Sequence, residues 1–230
     1  MNIKEKQKYF NNLGAHFDEY MSDYDVEQRK SLIFGHLLRN KPLKEKNILE
    51  IGCGTGCFSN EIKKRDGLLT VLDIGQNLVV NVSEALNCSG VVGDACNLPF
   101  QDESFDYIIS SECIEHTLDP DRAIREMCRI CRPNGYVCIT TPNRLWYPLL
   151  LIAQRLGVRK FSGIENWIFP QHAINIFKKN NMSDIYAGGC HLLPFQLKIL
   201  RPFLRRIDNI FGKWFFPIMI NFGIVARKKK

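Results

Sequence analysis

The chain has 230 residues, 45% of them hydrophobic and 24% charged, and a formal net charge of +7 from 31 Lys+Arg against 24 Asp+Glu. That apolar content excludes a disordered chain, and 16 glycines without a period exclude a collagen-like or repeat architecture. The length suits one domain with an appendage. Residues 1–42 read as helical: Ser22 or Asp23 can cap a segment in which Leu32, Ile33, Leu37 and Leu38 share a face, and Pro42 stops it. From Asn47 short apolar runs take over. Asn47–Ile51 reads as a strand, Phe58–Lys64 as a helix, Leu69–Asp73 as a second strand and Gln76–Leu86 as a helix. Gly90–Val92 and Phe105–Ser110 read as the third and fourth strands. In Asp119–Cys131, Asp119 can cap a helix with Pro120 in its first turn and Ile124, Met127 and Cys128 on one face. Tyr136–Thr140 reads as the fifth strand. After Asn143 come an apolar insertion (Leu145–Lys160), a helix (Pro170–Asn180), a strand (Ile185–Gly189) and a last strand (Phe222–Arg227).

Strands alternating with helices at this spacing predict parallel βαβ units and a doubly wound α/β sheet, which binds ligands at the carboxyl ends of its strands. Three regions are expected within one fold. They are a helical cap over 1–42, a ligand-binding core over 43–143, and substrate-side insertions with the closing strands over 144–230.

The run Glu50-Ile51-Gly52-Cys53-Gly54-Thr55-Gly56 follows a strand and opens a helix. Glycines there let the backbone turn tightly and approach a ligand. A dinucleotide site would need glycine spaced as G-x-G-x-x-G to bring a pyrophosphate onto the helix. Here Ser59 stands beyond Gly56, and Glu50 would repel phosphate oxygens but attract a cationic ligand. Asp73, ending the second strand, can accept from both hydroxyls of a ribose. After the third strand, Asp94 can accept from an exocyclic amine while the next backbone N–H, of Ala95, donates to a ring nitrogen. Together these describe an adenosine whose other end is not a polyphosphate.

From Asn47 to Asn143 the chain resembles the core of a class I S-adenosylmethionine-dependent methyltransferase, in the small-molecule branch that includes ubiquinone-type O-methyltransferases. Five features in order carry the resemblance: the glycine loop, the acid ending the second strand, Gly93-Asp94-Ala95, Ser104-Phe105-Asp106, and Arg132-Pro133-Asn134-Gly135. The resemblance implies a Rossmann-like, seven-stranded, mostly parallel sheet with an N-terminal helical cap and a helical insertion after strand 5. It also implies S-adenosylmethionine as cofactor. Glu50, Gly52, Cys53, Gly54 and Gly56 would face its methionine part, Asp73 the ribose, Ile74 the adenine face, Asp94 and Ala95 the adenine edge, and Ser111 the sulfonium. Tyr20 and Arg29 are cap candidates, Arg29 for the cofactor carboxylate.

Methyl transfer from a sulfonium is an in-line displacement, so position and desolvation matter most. An oxygen nucleophile often needs a base. His116, in Glu112-Cys113-Ile114-Glu115-His116, is the candidate; a structural Glu–His pair is the alternative. His172 and His191 rank lower. The expected acceptor is a small or lipid-linked molecule methylated at oxygen. A nucleic-acid methyltransferase is the first alternative, suggested by the basic tail; against it, Ser110-Ser111-Glu112-Cys113 stands where base methylases carry a Pro-Pro-aromatic loop. A non-catalytic membrane-associated module that keeps the fold is the second.

Nine cysteines without a leading apolar signal read as reduced thiols in a cytoplasmic protein. Cys128 and Cys131 lack partners at zinc-ligand spacing, so no metal is expected. No run of 18 apolar residues is present. Residues 192–217 mix large apolar side chains with Lys198, Arg201, Arg205, Arg206 and Lys213, which suits either a helical cover for the sheet or peripheral contact with the inner membrane surface.

Overall fold

The computed structural model describes residues 5, 7, 9, 10, 22–157, 165–192 and 201–230. Seven strands form one sheet in the order β3-β2-β1-β4-β5-β7-β6. They are β1 (Asn47–Ile51), β2 (Leu68–Asp73), β3 (Ser89–Val92), β4 (Phe105–Ser111), β5 (Cys131–Pro142), β6 (Met182–Cys190) and β7 (Asn221–Lys228). Strands β1 to β5 pair in parallel; β7 runs antiparallel to both β5 and β6. The order reverses at β1, where β2 lies on one side and β4 on the other. The carboxyl ends of β1, β2 and β4 therefore flank a crevice.

Helices cover both faces, as a parallel sheet requires. On one face α1 (Asp23–Lys30), which opens into π-helical turns over Ser31–Leu37, packs with α2 (Cys57–Lys63) and α3 (Gln76–Leu86). Leu32, Ile33, Leu37, Phe58, Ile62 and Val82 bury there against Ile48, Val71 and Ile109. On the other face α4 (Pro120–Ile130) and α6 (Pro170–Lys179) bury Ile124, Met127 and Phe177 against Leu49, Ile108 and Val137. The strand period of two sorts these sets: Leu49 and Ile51 point to α4, while Ile48 and Glu50 point to α2. The insertion after β5 contains α5 (Tyr147–Arg155), and α7 (Arg201–Phe215) precedes β7.

Among the described residues the expected helices and strands stand, with shifted ends; residues 11–21 of the expected helical cap lie outside them. Asp119 caps α4 by accepting from the Arg122 backbone N–H at 2.9 Å. Ser22 occupies the N-cap of α1 without a side-chain hydrogen bond. The first helix stops at Leu38, four residues before Pro42, where the backbone leaves helical geometry. Strand β5 begins at Cys131, so Arg132-Pro133-Asn134-Gly135 lies within it as an irregular stretch, Asn134 at φ 65°.

Candidate active site

The turn after β1 is a left-handed run of glycines, with φ of 77° at Gly52, 51° at Gly54 and 85° at Gly56. At Gly52 space is also decisive, because a Cβ there would sit 2.6 Å from the Cβ and Sγ of Cys113. Asp73 fixes this turn from the end of β2. Its Oδ2 accepts from Gly54 N–H at 3.1 Å and its Oδ1 from Gly75 N–H at 2.9 Å.

Around the turn lies a cavity of about 260 Å³. Its floor is Gly52, Cys53, Gly54 and Thr55; one end holds Asp73, Ile74, Asp94 and Ala95; the other holds Ser111, Glu112, Glu115 and His116. Asp94 Oδ1 accepts from Cys96 N–H at 3.0 Å, which sets its carboxylate at the adenine-edge end. Ser111 Oγ lies 3.0 Å from Thr140 Oγ1. The cavity thus offers a nucleoside two acids and an apolar wall at one end, and it offers a sulfonium acidic surroundings at the other. These residues fit S-adenosylmethionine.

Arg29 reaches the cavity from α1 and is 4% exposed. Its guanidinium meets Asp25 Oδ2 at 2.6 Å, and Asp25 Oδ1 meets His191 Nε2 at 2.8 Å. Burial alone would raise the Asp25 carboxyl, but Arg29 and His191 outweigh it and hold it below the usual range. Burial also raises Glu112 and Glu115, with the charge of Glu115 adding to the first and that of Glu165 to the second. Glu112 sits at φ 50° and accepts from Asn221 Nδ2 at 2.7 Å; Glu115 accepts from Thr141 Oγ1 at 3.0 Å. His116 Nε2 stands 4.0 Å from Glu115 Oε1, and its ring lies 5.9 Å from that of Phe10.

A match to the family described as "Methyltransferase domain" spans residues 49–139, from β1 to β5. From β1 to β5 the chain is similar to that methyltransferase family. The chain is 31% identical over 123 residues to norajmaline N-methyltransferase of Rauvolfia serpentina, an alignment covering 48% of this chain and 40% of that protein. It is 30% identical over 151 residues to a demethylmenaquinone methyltransferase of Staphylococcus haemolyticus, covering 61% of this chain and 63% of the other. The chain therefore spans from two fifths to just under two thirds of these relatives. A solved methyltransferase from Thermotoga maritima, described as a possible histamine N-methyltransferase, superposes with TM-score 0.69 at 17% identity over 97% of this chain and 100% of that one.

Within the fold the expected cofactor residues divide. Gly52, Cys53, Gly54, Asp73, Ile74, Asp94, Ala95, Ser111, Arg29 and His116 all line the one cavity. Glu50 and Gly56 do not. Glu50 points to the α2 face, where Ser59 Oγ donates to its carboxylate, and burial pushes that carboxyl up to about 8. Gly56 is the left-handed N-cap of α2, packed on Val82. Tyr20 lies outside the described residues. His191 is buried and ties the end of β6 to Asp25. Asp25, Glu112, Glu115 and Glu165 line the cavity too, although only His116 of the Glu-x-x-Glu-His run was singled out as chemistry-bearing. The close of β4 by that acid-rich run was the available signal.

A second cavity, of about 510 Å³, opens under the insertion. Arg144, Tyr147, Trp167 and Phe169 line it, with Asp121 and His172, whose Nε2 lies 2.8 Å from Asp121 Oδ1. Glu165 lines both cavities. The indole N–H of Trp167 is buried with no hydrogen-bond acceptor among the described residues. Among the described residues no group of His, Cys, Asp and Glu is placed to hold a metal.

Proposed function

We propose that this chain transfers the methyl group of S-adenosylmethionine to an oxygen of a small or lipid-linked acceptor held in the aromatic cavity under the insertion. The observation that carries the reading is that Glu165 lines both cavities, which makes them neighbours across one side chain. An acceptor held against Tyr147 and Trp167 would reach the cofactor cavity, where His116 stands, past Glu165. When bound, S-adenosylmethionine supplies a methyl already activated on a sulfonium. The protein's work is to align an acceptor lone pair and exclude water. His116, lining the cofactor cavity with Glu115 behind it, takes the proton that the acceptor hydroxyl loses. The buried indole N–H of Trp167, which has no acceptor among the described residues, suits a methyl acceptor that carries a hydrogen-bonding oxygen.

A nitrogen acceptor is the second reading. Asp25, Glu112, Glu115 and Glu165 line the cavity, and their carboxyl oxygens can accept from the N–H groups of an amine. The same acids disfavour a phosphate backbone, so a nucleic-acid substrate finds no support at the mouth.

Calorimetric titration with S-adenosylmethionine and S-adenosylhomocysteine tests the cofactor half. Micromolar binding is expected, and its absence from the wild-type chain would overturn the reading. Labelled methyl transfer to matched panels of phenols and amines tests the acceptor half. Label in the phenols supports oxygen transfer; label confined to the amines replaces it with the nitrogen reading.

A further inference from the structure

Helix α5 reads Tyr-Pro-Leu-Leu-Leu-Ile-Ala-Gln-Arg, yet none of its residues is buried. Leu149 and Ile152 are about half exposed, and Leu156 just beyond the helix is 72% exposed. A helix that is mostly apolar and buries nothing is out of balance with water.

Helix α7 completes the same surface. It docks on edge strand β6 through Asp208 and Gly212, four residues apart. Asp208 accepts from the backbone N–H groups of His191 and Leu192, and a Cβ on Gly212 would meet the Gly189 carbonyl at 2.6 Å. The helical period then turns Ile210 and Trp214 to the opposite side, 65% and 74% exposed. The two helices meet end to end: Trp146 Nε1 donates to the Ile218 carbonyl at 2.9 Å and Asn143 Nδ2 to the Pro217 carbonyl at 2.8 Å. This join places exposed Leu149 and Ile152 on one helix, Ile218 beside the link, and exposed Trp214 and Ile210 on the other helix.

The charge around this face has one sign. From Arg144 to Gly157 there is no acid, and Arg144 and Arg155 are exposed. From Arg201 to Ile220 the only acid is Asp208, which is buried, while Arg206 and Lys213 are exposed. Large aliphatic side chains and a tryptophan within a cationic rim match a bilayer interface that carries anionic headgroups. A second copy of the chain would bring a second cationic rim against the first.

We infer that the exposed face of α5 and α7 docks this protein on an anionic membrane surface, seating Ile152, Ile210 and Trp214 among the acyl chains with Arg206 and Lys213 at the headgroups. No described helix is long and apolar enough to cross a membrane, so the contact is peripheral. The inference is independent of the proposed reaction, because Ile152, Ile210, Trp214, Arg206 and Lys213 line neither of the two cavities described above.

The test is co-sedimentation of the full chain with phosphatidylcholine vesicles, with and without about one third phosphatidylglycerol, at low and high salt. Binding is expected to the anionic vesicles alone and to weaken with salt. Ile152→Glu with Ile210→Glu should lower it by about tenfold or more. Arg206→Glu with Lys213→Glu should lower it similarly without touching the apolar face, which decides the matter if the first pair fails to fold. Both variants should bind S-adenosylhomocysteine like the wild type. No sedimentation of the wild type, equal binding to neutral vesicles, or a wild-type dimer that Ile210→Glu dissociates would each overturn the inference.

Discussion

The Oδ2 of Asp73 accepts the backbone N–H of Gly54 at 3.1 Å, so the acid that ends β2 also braces the glycine turn that ends β1. One side chain therefore both shapes the cofactor floor and lines the cavity itself. Asp73→Ala removes both contributions. We expect it to weaken S-adenosylhomocysteine binding by about a hundredfold, or ~2.7 kcal/mol, by calorimetry. Asp73→Asn keeps one acceptor oxygen and should lose about tenfold. Binding of the alanine variant within threefold of the wild type would contradict the assignment.

Glu50 carries a second prediction, and here burial decides the sign. Its carboxyl lies on the α2 face beneath the turn, and loss of solvent pushes it up to about 8, with the nearby charge of Asp73 acting in the same direction and the Ser59 hydroxyl opposing. A carboxyl raised in the folded state holds its proton more tightly there than in the unfolded chain. Its cost is absent below the ordinary glutamate range, grows as pH rises and is complete above about 8. Glu50→Gln should thus leave thermal stability unchanged near pH 4 and raise the midpoint by on the order of 5 °C at pH 9. A variant less stable than the wild type at pH 9 would show that the ionised carboxylate is needed in the fold.

The same residue shows where the sequence is legible. Alternation of strands and helices, the glycine turn and the two acids could be read directly, because local spacing dictates them. The side to which Glu50 points could not. The period of two places it with Ile48, but which face carries α2 follows from the winding of the whole sheet. Asp25 was invisible for a similar reason. It lies 166 residues from His191, and only the docking of α1 against the end of β6 brings them to 2.8 Å. The exposed face of α5 was hidden because an apolar run in a sequence reads the same whether it is covered or bare.

The nine cysteines are all free thiols, and their environments sort them. Cys53, Cys96, Cys128, Cys131, Cys138 and Cys190 are buried, whereas Cys57, Cys88 and Cys113 are partly exposed. Burial pushes the Cys53 thiol far up, and the charges of Asp73 and Glu50 add to it, so it forms no thiolate near neutrality although it lines the cofactor cavity. Titration of the native chain with a thiol-specific disulfide reagent at pH 8 should modify no more than Cys57, Cys88 and Cys113 quickly. Cys53→Ala should change S-adenosylmethionine affinity by no more than a few-fold. Rapid modification of Cys53 in the native chain would show that the cavity floor opens.

Asp25 holds the cap helix to the rest of the fold by charge. It receives Arg29 from its own helix and His191 from the end of β6, and Arg29 is 4% exposed. Removing the acid strands a buried guanidinium, which costs more than the pair contributes when intact. Asp25→Ala should therefore destabilise the chain by about 3 kcal/mol, read from urea unfolding at pH 7. The double variant Asp25→Leu with Arg29→Met removes both charges and should recover most of that loss. The pH dependence follows from the depressed carboxyl. Its contribution is present above the ordinary aspartate range and is lost as pH falls through the lower folded value, so the gap between wild type and Asp25→Asn should close only in strong acid. Arg29 also lines the cofactor cavity, so the stability loss and the loss of S-adenosylhomocysteine affinity should travel together in Asp25→Ala. A variant that loses affinity at unchanged stability would instead make Asp25 a direct contact of the ligand.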